Sequence, residues 1–99
     1  MTKPLVLIPY DKAEAISITE AAFVAKCSAS TVRGWAAKHH IGRRIAGGAW
    51  KVSAPALLML LDDDFDALGA YLAGERSGLV AAYFIRAGVP LEAVPQINP

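Results

Sequence analysis

Ninety-nine residues is the size of one small domain, enough for a single core and too little for two independent ones. The formal net charge of only +1 conceals a division along the chain, because charge of one sign is followed by charge of the other. Lys26, Arg33, Lys38, Arg43, Arg44 and Lys51 fall in a stretch without Asp or Glu, whereas Asp62, Asp63, Asp64, Asp66 and Glu75 follow in a stretch without Lys or Arg, which excludes an evenly neutral surface.

Taken in order, the chain opens on residues 1–15, a segment expected to form an N-terminal arm. Lys3 to Tyr10 is apolar and bounded by Pro4 and Pro9, as an extended arm or an edge strand would be. Ser17-Ile-Thr-Glu20 then has the form of a capping box, which predicts a helix from Ile18 with Ala21, Ala22, Val24 and Ala25 on its core side. Ala25-Lys26-Cys27 breaks that pattern. Ser28 is suited to cap a second helix over Ala29 to about His39, and Val32, Trp35, Ala36 and His39 recur on it at the spacing of a buried face. Two helices separated by about three residues predict a helix-turn-helix. The opposite face of the second helix carries Ser30, Arg33, Gly34 and Ala37, flanked by Thr31 and Lys38, so one long cation stands among small residues. A backbone that can approach closely, with a cation reaching beyond it, is what a major-groove reader requires.

Gly47-Gly48 between short β-compatible runs predicts a hairpin with a two-residue turn. That register pairs Ala46 with Ala49, Ile45 with Trp50, Arg44 with Lys51 and Arg43 with Val52. It turns Ile45, Trp50 and Val52 toward the helices and leaves Arg44 and Lys51 side by side on the other face. Like charges placed opposite each other destabilise a sheet, a cost that a phosphate backbone between them would offset. Ser53 with Pro55 marks another helix start, and Ala56 to Leu61 continues it. Asp62-Asp63-Asp64 is expected to divide the following apolar pattern into two helices and to serve as a solvated cap and an acidic flank. Glu75 to Gly78 reads as a turn, Leu79 to Ala87 as an apolar segment stopped by Gly88, and Leu91 to Pro99 as an irregular tail.

Glu20-Ala21-Ala22, Ser28-x-Ser30-Thr31-Val32-Arg33-x-Trp35, and Gly47-Gly48-x-Trp50-Lys51-Val52-Ser53 followed by Ala56-Leu57 stand in the order and spacing of a known pattern. Over Ser17 to Leu61 the chain resembles the excisionase-type winged helix-turn-helix domains, relatives of the MerR-like DNA-binding heads. The resemblance implies a mainly α fold with a small β-hairpin and a DNA-binding domain over residues 16–62; residues 63–99, which the resemblance does not cover, are expected from their apolar content to form a C-terminal helical assembly segment and tail. The resemblance also implies selective binding of double-stranded DNA, with the second helix in the major groove and the hairpin as a wing on the adjacent backbone. The expected contacts are Ser28, Ser30, Thr31, Arg33, Gly34, Lys38, Arg43, Arg44 and Lys51. Members of the class act as recombination directionality factors, as transcription regulators and, in a related form, as phage terminase small subunits. Where the family often has glycine in the turn this chain has Lys26, which implies a left-handed backbone at a lysine.

The apolar C-terminal half, with Leu68, Leu72, Leu79, Tyr83 and Phe84 as candidate oligomerisation residues, suggests a homodimer or higher homo-oligomer, or a surface for a recombinase or other protein. No nucleophile, base and orienting acid form a recognisable set, so an enzyme is not expected, nor is a cofactor. Trp35, Trp50 and Cys27 read as packing residues. Cys27 is the one cysteine, which excludes an internal disulfide, and adjacent His39 and His40 would point to different sides of a helix, so no metal site is expected. The apolar runs are too short for a signal peptide or a membrane span, and the expectation is a cytoplasmic protein without a membrane partner.

Overall fold

The structure, a computed structural model, describes Val6, Leu7 and Asp11 to Val89. Among these residues the fold is mainly helical, with five helices and a three-stranded antiparallel sheet. In chain order the elements are β1 (Ala15–Ser17), α1 (Ile18–Ala25), α2 (Ala29–Lys38), β2 (Gly42–Arg44), β3 (Trp50–Ser53), α3 (Ala54–Leu61), α4 (Phe65–Leu72) and α5 (Gly78–Arg86). The sheet order is β1-β3-β2, so β3 is central.

Local chemistry sets most of the helix ends. Ser17, Ser28 and Ser53 hold extended backbone and accept the N–H three residues on, from Glu20, Thr31 and Ala56, at 3.0, 3.1 and 3.3 Å. Each thereby satisfies one of the amide groups that a helix start leaves without a partner. At Ser17 only half of the expected box forms, because the Glu20 carboxylate makes no return bond among the described residues. The acidic trio divides two helices as expected. Asp63 is left-handed at φ 56°, and Asp64 caps α4 by accepting from Ala67 at 3.0 Å. At the end of α5, Gly88 (φ 76°) donates to Ile85 and Val89 donates to Phe84, a Schellman closure. Lys26 (φ 57°) closes α1 in the same way, donating to Phe23 while Cys27 donates to Ala22. The left-handed backbone implied at this lysine is therefore present.

One apolar cluster runs from Val6 and Leu7 through Ala21, Val32, Ala36, Ile41, Val52, Leu57 and Met59 to Leu68, Tyr71, Phe84 and Val89. The expected arm is thus partly built into the core: Val6 and Leu7 are buried in a bend, and Ala15 pairs with Ser53 in a strand that the capping box had concealed. The rest of Lys3 to Tyr10 and the tail from Leu91 to Pro99 lie outside the described residues. In α1 the core side is Ala21, with Ala22 and Ala25 half-buried. Val24 is exposed instead of buried, and the neighbouring Phe23 is 84% exposed.

The C-terminal helices close on themselves more completely than their apolar content suggests. Leu68, Tyr83 and Phe84 are buried within the chain's own core, so they are not surface residues through which copies could assemble. Of the five candidates, Leu72 is half-buried and Leu79 is exposed.

The hairpin register differs by one residue from the expectation. Arg43 stands opposite Lys51, Arg44 opposite Trp50 and Gly42 opposite Val52. The chain reverses one residue early, at Ala46-Gly47, which are both left-handed (φ 52° and 72°), and Gly48 donates to Ile45 at 2.8 Å. Gly42 accounts for the register. A Cβ there would lie 2.6 Å from the Lys51 carbonyl and 3.0 Å from the Ala36 methyl, so only glycine lets β2 cross α2 this closely.

Candidate nucleic-acid interface

A cleft of about 420 Å³ lies where the start of α1, the outer face of α2 and the hairpin meet. It is lined by Ser17, Ile18, Thr19, Arg33, Arg44, Gly48, Ala49, Trp50 and Lys51. Each wall has a local cause. The Ser17 cap fixes the first turn of α1, the turn around Lys26 sets α2 beside it, and pairing with β3 places Lys51 next to Ser17. Arg33 is exposed on the flank of α2, beside the buried stripe of Val32 and Ala36. No carboxylate is among the described residues that line the cleft, to which α2 contributes Arg33, β2 Arg44 and β3 Lys51; by the register Arg44 shares a sheet face with Trp50, and Lys51 stands on the opposite face with Arg43.

The sequence-predicted contacts divide accordingly. Arg33, Arg44 and Lys51 line the cleft, whereas Ser28, Ser30, Thr31, Gly34, Lys38 and Arg43 do not. Ser30, Thr31, Gly34 and Lys38 are nevertheless exposed along α2 with Arg33, and Gly34 has open space where a Cβ would project. Ser28 spends its hydroxyl on the cap and on Thr31 Oγ1, 2.9 Å away.

The shifted register changes the roles of the hairpin cations. The like-charged pair is Arg43 with Lys51, not Arg44 with Lys51. Arg44 shares its sheet face with Trp50 and folds back onto the turn, its Nε donating to Gly48 at 2.9 Å and Nη2 to Gly47 at 2.7 Å. It is therefore a strut for the hairpin tip as well as a charge at the cleft. Arg43 is half-buried, and its shielded Nε has no hydrogen-bond partner among the described residues. Sequence reasoning missed Ser17, Ile18, Thr19, Gly48, Ala49 and Trp50 as lining residues. Their positions depend on the packing of α1 against the hairpin, for which no local pattern exists.

The remaining polar chemistry is tied up in structure. Glu14 is buried, and its Oε2 accepts from Ser53 Oγ at 3.3 Å and from the Tyr71 hydroxyl, which is also 2.9 Å from Ser53 Oγ. Burial and the neighbouring Glu14 carboxylate push the Tyr71 phenol well above its usual range. Arg76 lies over the Tyr71 ring, 4.3 Å from its centroid. At the α3–α4 junction, Asp62 Oδ2 accepts from Arg86 at 2.7 Å and from Tyr83 at 2.9 Å. These bonds hold the Asp62 carboxyl below its ordinary value. The expected acidic flank is thus partly neutralised by its own partners. Among the described residues no group of three His, Cys, Asp or Glu side chains is placed to hold a metal, and no helix is long and apolar enough to cross a membrane.

No protein-family model, curated protein or solved structure matches the chain.

Proposed function

We propose that the protein binds double-stranded DNA as a small winged helix-turn-helix domain, with α2 in the major groove and the β2–β3 hairpin against the adjacent backbone. The observation that carries this reading is that Arg33, Arg44 and Lys51, from three elements, all line the region between α2 and the hairpin, with no carboxylate among its described lining residues, beside an exposed α2 face of small residues. Cations on neighbouring elements fit a polyanion with regularly spaced charge, and small side chains with one long cation fit a helix laid into a groove. In this role the protein acts as an excisionase-like recombination directionality factor or a small transcription regulator. Selectivity arises from Arg33 and from adjacent protomers bound side by side.

The test is fluorescence anisotropy with a labelled duplex across a salt series. Three phosphate contacts imply a slope of log K against log salt of about −2.7, or about 40-fold weaker binding between about 50 and 200 mM salt. Lys51→Ala should reduce the magnitude of that slope by about 1 and weaken all duplexes alike, whereas Arg33→Ala should also relax sequence preference. Absent or salt-insensitive duplex binding would refute the proposal. A second reading, an assembly module resembling a terminase small subunit, is favoured by the exposed Leu79 and Ile85 of α5, at 57% and 63%. Light scattering that finds a strict monomer at high concentration counts against it.

A further inference from the structure

We propose that two copies of the chain associate through the outer face of α1, packed antiparallel about a two-fold axis at Phe23, with Glu20 of each copy beside Lys26 of the other.

The face is defined by what it leaves in water. Phe23 is 84% exposed, although an aromatic ring is among the side chains whose burial contributes most. At about 3.6 residues per turn it stands opposite Ile18, Ala21, Ala22 and Ala25, which pack toward the core, and so marks the centre of the outer face. Val24, 46% exposed, adjoins it. Glu20 and Lys26, both exposed, flank it three residues before and three after.

The charges identify the occupant. Among the described residues neither the Glu20 carboxylate nor the Lys26 ammonium has a hydrogen-bond or ion-pair partner. Six positions, about 9 Å of helix, separate the two, so they do not pair within one chain. A second α1 turned end over end about Phe23 brings the acidic first turn of one helix level with the basic end of the other. The face is therefore self-complementary: the same ion pair forms twice, as a two-fold contact requires, with the Phe23 and Val24 side chains of both copies between the pairs. An acidic or a basic partner would instead set one of these charges against its like. Lys26 also holds a left-handed backbone (φ 57°) that glycine adopts at less cost, and a cation at this point has a role that glycine could not fill. The exposed face of α5 carries no comparable pattern, because Arg86, the one charge on that helix, is bound to Asp62.

One short helix from each copy is a small contact, well below the ~1,200 Å² of stable interfaces, so the dissociation constant should be about 0.1–1 mM. None of its residues is among those assigned to the duplex, and its test contains no DNA, so its failure and the failure of the DNA-binding reading are separate results.

The experiment is a dilution series of the isotope-labelled full chain followed by NMR, from about 1 mM to about 0.02 mM, reading the amides of α1 with those of α5 as reference. The expected result is concentration-dependent movement of Val24 and its neighbours. Phe23→Ser should weaken association at least about tenfold with an unchanged circular dichroism spectrum, since the ring touches little of its own chain. Glu20→Lys and Lys26→Glu each set like charges against each other in both pairs, and each should weaken association about tenfold. Labelled Glu20→Lys chain mixed with unlabelled Lys26→Glu chain should recover association to within about twofold of wild type, because every facing pair is again of opposite charge. Recovery on mixing does not arise from a folding defect in either variant. The proposal is overturned if the α1 amides do not move at the highest concentration, which assigns the face to a partner of another kind. It is equally overturned if Phe23→Ser associates as wild type does, or if the mixed variants associate no better than each alone.

Discussion

Replacing Gly34 by alanine should move stability and DNA affinity in opposite directions. The residue lies inside α2, is exposed, has no left-handed φ, and has nothing within 4 Å of where its Cβ would be built. Nothing in the isolated fold therefore requires glycine there. Alanine should stabilise the helix by about 0.8–1 kcal/mol by restricting the unfolded backbone and improving propensity. For a chain of this length a gain of that size raises Tm by about 4–8 °C. If the outer face of α2 rests against duplex DNA, the added methyl must be accommodated at a closely packed surface, where overpacking costs about 1–3 kcal/mol. Affinity should then fall by about fivefold to a hundredfold. Thermal unfolding by circular dichroism gives the first quantity and duplex anisotropy the second. A stabilised variant that binds DNA as tightly as the parent would remove α2 from the interface, and a destabilised variant would refute the steric reading of the helix.

Lys26→Gly should stabilise the protein by about 0.5–1 kcal/mol in urea unfolding, because the left-handed closure of α1 costs a lysine more than the entropy that glycine adds to the unfolded chain. Gly42→Ala should destabilise it by about 1–3 kcal/mol in the same assay, since the new methyl meets the Lys51 backbone. Tyr71→Phe should cost about 1–3 kcal/mol by leaving buried Glu14 and Ser53 short of a partner, measured as a lowered denaturation midpoint with unchanged slope. The Asp62 carboxyl, lowered by its bonds to Arg86 and Tyr83, contributes stability above its unfolded value of 3.8 that is lost as pH falls through the lower folded value. Tyr83, pushed up to about 12 by burial and by Asp62, contributes stability that is complete below pH 10 and lost between about 10 and 12. Urea midpoints of wild type and Arg86→Ala should therefore converge at low pH.

The serines at helix starts, the glycine after α5 and the aspartates between α3 and α4 act through neighbours three to five residues away, so their effects were legible in the sequence. The hairpin register was not, because it depends on Gly42 passing Ala36, a contact between separate elements. A glycine pair invited a turn at Gly47-Gly48, yet the chain accepts a left-handed Ala46 to keep that crossing. Strand β1 was hidden because three residues are too few to display alternation, and its last residue also caps α1. The candidate site was legible as a list of cations but not as a constellation. Arg33, Arg44 and Lys51 all line the cleft, but the sheet face that each hairpin cation takes follows the shifted register, and the bonds from Arg44 to the turn depend on carbonyl directions that only the folded hairpin sets.

The buried Glu14–Ser53–Tyr71 group ties the cleft to the half of the chain that seemed separable from it. Glu14 precedes β1, Ser53 ends β3 and caps α3, and Tyr71 belongs to α4. The Glu14 carbonyl also accepts from the Ala54 amide at 2.9 Å. Ser17 and Lys51, two walls of the cleft, are paired across these same strands. Removing α4 and α5 would take away the Tyr71 hydroxyl and uncover Glu14, Ser53 and the core beneath them. A chain cut after Asp64 should therefore lose the alignment of β1 with β3 along with any assembly surface on α5. Point substitutions at exposed Leu79 and Ile85 separate the two roles: they should alter association between copies, read by light scattering, while leaving duplex anisotropy unchanged.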